Sequence, residues 1–496
     1  MKINHFLLTI LTCLFFIACS KHQDTEPQAP VTDEPTTING ENFNPTESKV
    51  KSLNGKLIIS LIDGSKKIEI VTNDTIAGTY NIVSNSLKSA SILQANVSYF
   101  DGINTFIATA GSGVVTINKS GTGSFSGTYN GTILVNNIAV KISAGNFANI
   151  APIKLIKTTA AINDSLLLCY TKFHDFIEFE FLFDALYANR VQSPNSSWNE
   201  IYNHSQTAAN DKVLMLWSKG FDIIYKLNVI LLSTEVVISD NVSRNTIDVQ
   251  AKAIRSALNY YLLTWFGSIP VGSEISPLTT LQSTKAEVWA QIKSDATDAA
   301  AILPQSWTTT DNFRIPKSFA QGILARADLN TANYNEAISV TQQITNNGIF
   351  TLSSNPGDFT KGNSEIFWGF EKGTNAEFNS FFTKGSFVPG LRMTETNLIS
   401  IESQLRSGVI TTAISQLNVL KTRQGEANIV TLNVSEVLQQ LIKELDLEGS
   451  VFINTLRFNG GKSILEIPEY RLLLPIPISK IEGIGGNRSL AQNPGY

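Results

Sequence analysis

The chain has 496 residues, 43% of them hydrophobic, with 38 Lys and Arg against 42 Asp and Glu. That length sets an expectation of about two to four domains with ordinary apolar cores. The slightly acidic balance gives no basic surface for a phosphate backbone, which excludes nucleic acid as an expected partner, and no internal stretch reaches the roughly 18 apolar residues of a spanning helix.

The first element is a leader. Lys2 supplies a positive start, and Phe6 to Ala18 is an apolar run that fits a signal peptide over residues 1–18 and is short for a membrane span. It ends Phe16-Ile17-Ala18-Cys19, which resembles a bacterial lipobox. That likeness implies cleavage before Cys19 and acylation of its thiol, and several acyl chains suffice for stable anchoring. Cys13 would leave with the leader, so Cys169 has no partner for a disulfide within the chain and is expected to pack as a small hydrophobe.

Residues 19–47 are rich in Pro, Thr, Asp, Glu and Gln and read as a disordered tether. From 48 to 150 the composition shifts to Gly, Ser, Thr, Asn, Ile and Val. Short β-prone runs, among them Lys56–Ile62, Lys67–Val71, Asn96–Phe100, Gly113–Asn118 and Ala139–Ile142, are punctuated by Gly, Asn and Asp. Such spacing predicts a small antiparallel barrel or sandwich.

Residues 151–496 turn helical. Apolar residues recur at helical spacing over Ser165–Ala188, Asp211–Ser233, Thr246–Trp265, Thr284–Ile302, Ser318–Thr331, Tyr334–Asn346, Thr394–Ser407, Ile410–Thr422 and Ser435–Asn454. Consecutive pairs predict a tetratricopeptide-like α-solenoid. The chain closes on an apolar strap, Leu472 to Tyr496, in which Pro475 and Pro477 forbid a continuing helix and Asn493-Pro494-Gly495 signals a turn.

Reactive constellations are scarce. His174 and His204 stand in no HExxH motif, and no Cys/His cluster has zinc spacing. Gly461-Lys462-Ser463 has Leu456 where a phosphate loop needs its first glycine. Glu178/Glu180 and Asp295/Asp298 are the carboxylate pairs that could be imagined in acid/base hydrolysis, but helix-surface carboxylates are ordinarily solvated.

The strap residues Leu473-Leu-Pro-Ile-Pro477 and Gln492-Asn-Pro-Gly-Tyr496 resemble the C-terminal signature of SusD/RagB-type lipoproteins. Upstream, Trp217…Tyr225…Asn228, Ala253-Ile-Arg255 through Trp265-Phe-Gly267, and Glu444…Leu447-Glu-Gly449…Leu456-Arg457 are similar to blocks of the same family. The likeness runs from about Ala161 to Tyr496. Ser450-Val451 and Asn454 depart from the family's usual His-Arg and Asp.

The resemblance implies a mainly α fold, here preceded by an extra β domain, and a non-enzymatic outer-membrane nutrient-binding lipoprotein without a cofactor or catalytic residue. Its expected partners are a SusC-like TonB-dependent transporter, an oligosaccharide, and the outer membrane through a lipid anchor on the extracellular face. Oligopeptide capture in the RagB manner is the alternative, and a surface hydrolase a third. A neutral sugar needs aromatic platforms and amide or charged groups for hydroxyls. Trp198 in its polar loop, Trp307, and Phe378, Asn379, Phe381 and Phe382 in the loop Glu377–Pro389 are the candidate ligand residues.

Overall fold

The computed structural model describes residues 36–45, 47–53, 56–84, 87, 92–121, 123–135, 138–150, 152–271, 282–307, 311, 313–458, 465–481 and 490–496. The expected leader, Cys19, most of the tether and the Gly461-Lys462-Ser463 string lie outside these residues. The last part of the expected tether does not: Thr37–Ile38 (β1) and Glu41–Asn42 (β2) form strands, and Phe43 is buried. The tether's composition is polar, but Ile38 and Phe43 find an apolar core to enter.

The β domain continues with β3 (Glu47–Leu53), β4 (Lys56–Asp63), β5 (Lys66–Thr72), β6 (Gly78–Ile82), β7 (Gln94–Phe100), β8 (Thr105–Ile107), β9 (Val114–Lys119), β10 (Phe125–Val135) and β11 (Ile138–Ile150). The order β2-β1-β11-β10-β9-β6-β7-β5-β4-β3, with β8 beside β7, makes one 11-stranded sheet among the described residues. All pairings are antiparallel except the short β6–β7 contact. Alternation places Leu57, Ile59 and Leu61, then Ile68 and Ile70, then Ala95, Val97 and Tyr99, on one inner face. The sheet curls around that single core as a half-barrel. A bridge between Val50 and Pro152 brings β3 to the chain just past β11, which protects an otherwise open edge.

The tight bend has a steric condition. A side chain at Gly145 would place its Cβ 2.5 Å from the ring of buried Tyr129, so only glycine lets β11 cross that ring.

Helices follow: α1 (Thr159–Tyr187), α2 (Asn199–Tyr202), α3 (Asp211–Val237), α4 (Asn241–Phe266), α5 (Lys285–Ile302), α6 (Lys317–Asn330) and α7 (Tyr334–Thr345). A hairpin of β12 (Ile366–Glu371) and β13 (Phe387–Arg392) encloses α8 (Ala376–Phe381). Then come α9 (Met393–Arg406), α10 (Ile410–Arg423), α11 (Val434–Glu444) and α12 (Val451–Arg457). The long helices from α3 to α7 each pack on the next, and α9 takes up α7 on one side and α10 and α11 on the other, giving the expected solenoid. Their starts are written in the sequence. Asn210 and Asp240 accept from the third backbone N–H of α3 and α4, and Thr284–Glu287 and Asn433–Glu436 form reciprocal capping boxes.

The expected helix Ser435–Asn454 is two helices. Leu447 and Gly449 take left-handed φ of 65° and 63°, which no continuing helix allows. Asp184 of α1 then accepts from Val451 N (3.1 Å) and Phe452 N (2.9 Å) and starts α12 in a new direction.

A buried ion network ties β13 to the last helices. Arg392 donates to Glu448 Oε2 (2.8 Å), Glu365 Oε2 (2.8 Å) and the Glu444 carbonyl (2.7 Å). Arg423 pairs with Glu444 (2.7 Å) and also with Glu365. The proline strap lies on the body as expected: Leu474 N donates to Trp265 O (2.7 Å), and Asn493 Nδ2 donates to Phe266 O (2.9 Å) and Leu474 O (2.6 Å).

Candidate functional site

Helix α1 ends at Tyr187, and the chain must cross the end of the solenoid before α3 begins at Asp211. Asn195 organises that crossing. Its Oδ1 accepts from Ser197 N (3.0 Å) and starts a single 3-10 turn over Ser196–Trp198. Its Nδ2 donates to Glu377 Oε1 (2.7 Å), while Trp198 Nε1 donates to Glu377 Oε2 (2.9 Å). One carboxylate at the start of α8 thus holds two donors from a loop 179 residues away. Burial pushes the Glu377 carboxyl up, but the bonds from Trp198 and Asn195 prevail and hold it below the usual carboxylate value.

The indole of Trp198 is 0% exposed. It rests against Phe179 (5.3 Å between centroids) and Phe183 (6.2 Å), and Lys212 Nζ sits 4.2 Å over its ring. Trp198 is therefore a floor, not the open platform its polar loop suggested. The neighbouring loop gives the same correction. Phe378, Phe381 and Phe382 are buried together, Phe378 stacked on Phe382 at 5.1 Å and Phe381 edge-on to both, so their rings are the loop's own core. Asn379 is half-buried and donates to Gly373 O (2.9 Å), which braces the same loop. Trp307 is half-buried. Its Nε1 donates to Ile315 O (2.9 Å), and the Arg314 guanidinium lies 5.8 Å from its ring.

Next to this loop is an open cleft of ≈ 500 Å³ lined by Ser196, Ser197, Glu200, Thr207, Ala209, Asn210, Asp211, Lys212 and Met215, with Trp198 outside the lining and beneath Lys212. Sequence reasoning singled out this loop but chose its buried tryptophan rather than its exposed polar residues. The available signal was Asn210-Asp211, a helix start next to a polar turn. Asn210 is shared: its Oδ1 caps α3 at Val213 N (3.0 Å), and its Nδ2 donates to Glu200 Oε2 (2.8 Å). Thr207 Oγ1 accepts from Ala209 N (3.3 Å), and the Lys212 ammonium lies over the Trp198 ring at the cleft's edge. Hydroxyl, amide, carboxylate and ammonium groups around a concave surface suit a ligand that both donates and accepts many hydrogen bonds.

The rear wall is fixed by the strap. Ile478 N donates to Ala208 O (2.9 Å), Arg471 Nη1 to Gln206 O (3.3 Å), and Gln206 Nε2 to Tyr187 OH (2.8 Å) and Tyr496 OH (3.5 Å). His204 closes the turn in a left-handed conformation, its Nε2 2.7 Å from Tyr187 O.

The groups that could be imagined as catalytic are engaged elsewhere. Glu178 accepts from Gly373 N (2.7 Å), whereas Glu180 faces the core and accepts from Trp265 Nε1 (2.9 Å). Asp295 takes both arms of Arg255 (2.7 Å each), and Asp298 pairs with Lys252 (2.6 Å). Burial pushes the Cys169 thiol up to about 12 and the His174 imidazole down to about 4, the latter stacked 4.2 Å from Phe370. Among the described residues no group of three or more His, Cys, Asp or Glu is placed to hold a metal ion.

Comparison with known proteins bears on this arrangement. A SusD-like family profile, described as "Starch-binding associating with outer membrane", matches residues 156–329. A laminarin-binding SusD-like protein has the same fold with TM-score 0.57 and 16% identity, over 69% of this chain and 100% of its own. Surface glycan-binding protein A from Bacteroides uniformis aligns with TM-score 0.59 and 16% identity, over 67% of this chain and 99% of its own. The protein of that name from Bacteroides thetaiotaomicron, solved with laminarihexaose, gives 0.57 and 12%, over 68% and 100%. No curated protein matches. The helical body has the fold of SusD-like proteins, and a β domain stands in front of it.

Proposed function

We propose that this chain is a glycan-capturing outer-membrane lipoprotein, anchored through Cys19, that delivers oligosaccharide to a SusC-like TonB-dependent transporter. Its role is binding without bond cleavage. The observation that carries this reading is the cleft: Ser197, Glu200, Thr207, Asn210 and Lys212 line one concavity, beside a loop that Glu377 ties down through Asn195 and Trp198. Family likeness supports the ligand class, since relatives with this fold are named for laminarin and other glycans. The mechanism needs only a preformed site. The strap and the Asn195–Glu377 tie hold the loops before a ligand arrives, so little ordering entropy is lost on binding.

No helix among the described residues is long and apolar enough to cross a membrane, and the proposed attachment is the acyl chains on Cys19. Calorimetry of the purified full chain against laminarihexaose, maltohexaose and an oligopeptide pool tests the ligand class. A saturable response to a glycan that Asn210→Ala and Glu200→Ala both weaken is expected. Saturable peptide binding with no glycan response would overturn the sugar reading. Isolation of the native protein from outer membranes should bring down a TonB-dependent barrel.

A further inference from the structure

The β domain buries one face of its sheet, and strand alternation should leave the other face polar. It does not. Across β4, β5, β7 and β8 the register sets Ile62, Lys67, Phe100 and Thr105 side by side on the outer face. The next row along the strands is Ser60, Glu69, Ser98 and Ile107. Ile107 is 54% exposed, and Ile62 and Phe100 are half-buried. Apolar and hydrogen-bonding side chains therefore alternate over one patch. That patch is concave: an open cleft of ≈ 510 Å³ lies over it, a volume in the range of small-molecule sites.

Two further features make it a prepared surface. Lys67 Nζ is 3.2 Å from Glu69 Oε2, and Ser60 Oγ donates to the same oxygen (3.4 Å), so the charged groups are oriented while both side chains keep about a third of their surface in solvent, 39% and 33%. At the cleft's end two turns meet. Asp101 Oδ1 accepts from Ile103 N (2.8 Å) and Asn104 N (2.7 Å), and Gly102, at φ +105°, approaches Ser65 so closely that a Cβ there would lie 3.0 Å from its hydroxyl.

We propose that this outer face is a second glycan-binding site, with Phe100 and Ile62 against sugar C–H faces and Lys67, Glu69, Ser98 and Thr105 on hydroxyls. The charges decide between occupants. The core of a protein interface is depleted in Lys and Glu, and an acyl-chain surface would strand the Lys67–Glu69 pair without water. Here that pair occupies the centre of the patch, where a hydroxyl-rich ligand satisfies it. For its ligand class the proposal rests on the glycan reading above. Two sites on one chain would raise avidity for a long polysaccharide without strengthening either site.

The test is electrophoresis of the full chain through gels containing laminarin or amylopectin. Phe100→Ala and, separately, Ser98→Arg, which fills the cleft without touching the core, should each weaken retardation by about tenfold. Asn210→Ala should weaken it independently, and the combined variant should run unretarded. Parent-like retardation of both β-face variants while Asn210→Ala is impaired overturns the second site and leaves the first. Loss confined to the β-face variants supports the second site and removes the first. No retardation of the parent in either gel overturns the proposal, as does a change in sizing-column mass with Phe100→Ala, which would make the face a self-contact.

Discussion

Trp198→Ala separates a floor from a platform. The indole is wholly buried, touches Phe179 and Phe183, carries Lys212 over its face, and donates to the Glu377 carboxylate. Truncation removes the ring and leaves a cavity, a change that costs about 3–5 kcal/mol in buried aromatic sites. Trp198→Phe keeps most of the volume and loses the bond to a charged acceptor, worth about 1.5–3 kcal/mol. Glu377 retains Asn195, which moves the expectation to the low end of that range. All 6 tryptophans lie between positions 198 and 368, so indole fluorescence reports the helical body and not the β domain. Urea titration followed by that signal should show Trp198→Ala with a much lower midpoint and Trp198→Phe in between. Glycan affinity should fall steeply for Trp198→Ala and by less than about threefold for Trp198→Phe. An unchanged midpoint for Trp198→Ala, with affinity lost, would refute the reasoning and make the ring a platform after all.

Three other outcomes follow from the same geometry. Arg392→Met leaves Glu365 with Arg423 and Glu448 with Lys384, takes the buried donor from both and from the Glu444 carbonyl, and should cost about 3 kcal/mol, the low end for breaking a buried pair, by the same fluorescence titration; a loss below about 1 kcal/mol would mean the network is solvated. Gly449→Ala puts a Cβ 2.2 Å from the Phe181 ring at a φ of 63°, and should lower the midpoint by more than the roughly 1 kcal/mol of a left-handed alanine alone; a parent-like midpoint would contradict the break between α11 and α12. The third is a pH effect. Burial raises the carboxyls of Glu180 and Asp184, the latter to about 7. The folded chain therefore holds protons that an unfolded carboxyl, with a pKa near 4, releases. Their contribution is complete below about pH 4 and is lost as pH rises toward 7. Burial lowers the imidazoles of His174 and His204, which adds stability as pH rises through about 6.5 and opposes this loss, so the expectation is a difference: from about pH 5 to pH 7.5 the melting temperature of Glu180→Gln should change more favourably than that of the parent. The depressed carboxyls of Glu402 and Glu448 act oppositely but only below this window. An identical slope in Glu180→Gln would contradict a protonated core carboxyl.

Helix starts were legible because their caps are local. Asn210 and Thr284–Glu287 cap helices where the sequence placed them, whereas α4 begins behind Asp240, five residues ahead of the expected Thr246. The break inside Ser435–Asn454 was hidden because its causes are distant. Gly449 is forced by Phe181 and Glu180, and α12 is started by Asp184, all on α1. The same holds for the Trp198 loop. Trp198 sits among Asn, Ser and Glu, a context that reads as exposed, yet Glu377 gives its N–H a partner and Phe179 receives its ring. The half-barrel was legible as β-rich from its alternation. Its closure was not, because it depends on a bridge from Val50 to Pro152 and on Gly145 clearing Tyr129. Phe43 shows the limit of composition: one buried aromatic drew the end of a polar tether into the sheet.

The central claim is that oligosaccharide is held beside the Trp198 loop by the residues between Ser196 and Met215. A crystal structure of the full chain grown with laminarihexaose or maltohexaose tests it most directly. The account predicts sugar hydroxyls within hydrogen-bond distance of Glu200, Asn210 and Lys212, with the Trp198–Glu377 bond intact beside them. Sugar density confined to another part of the helical body, with this cleft holding only solvent, would contradict it.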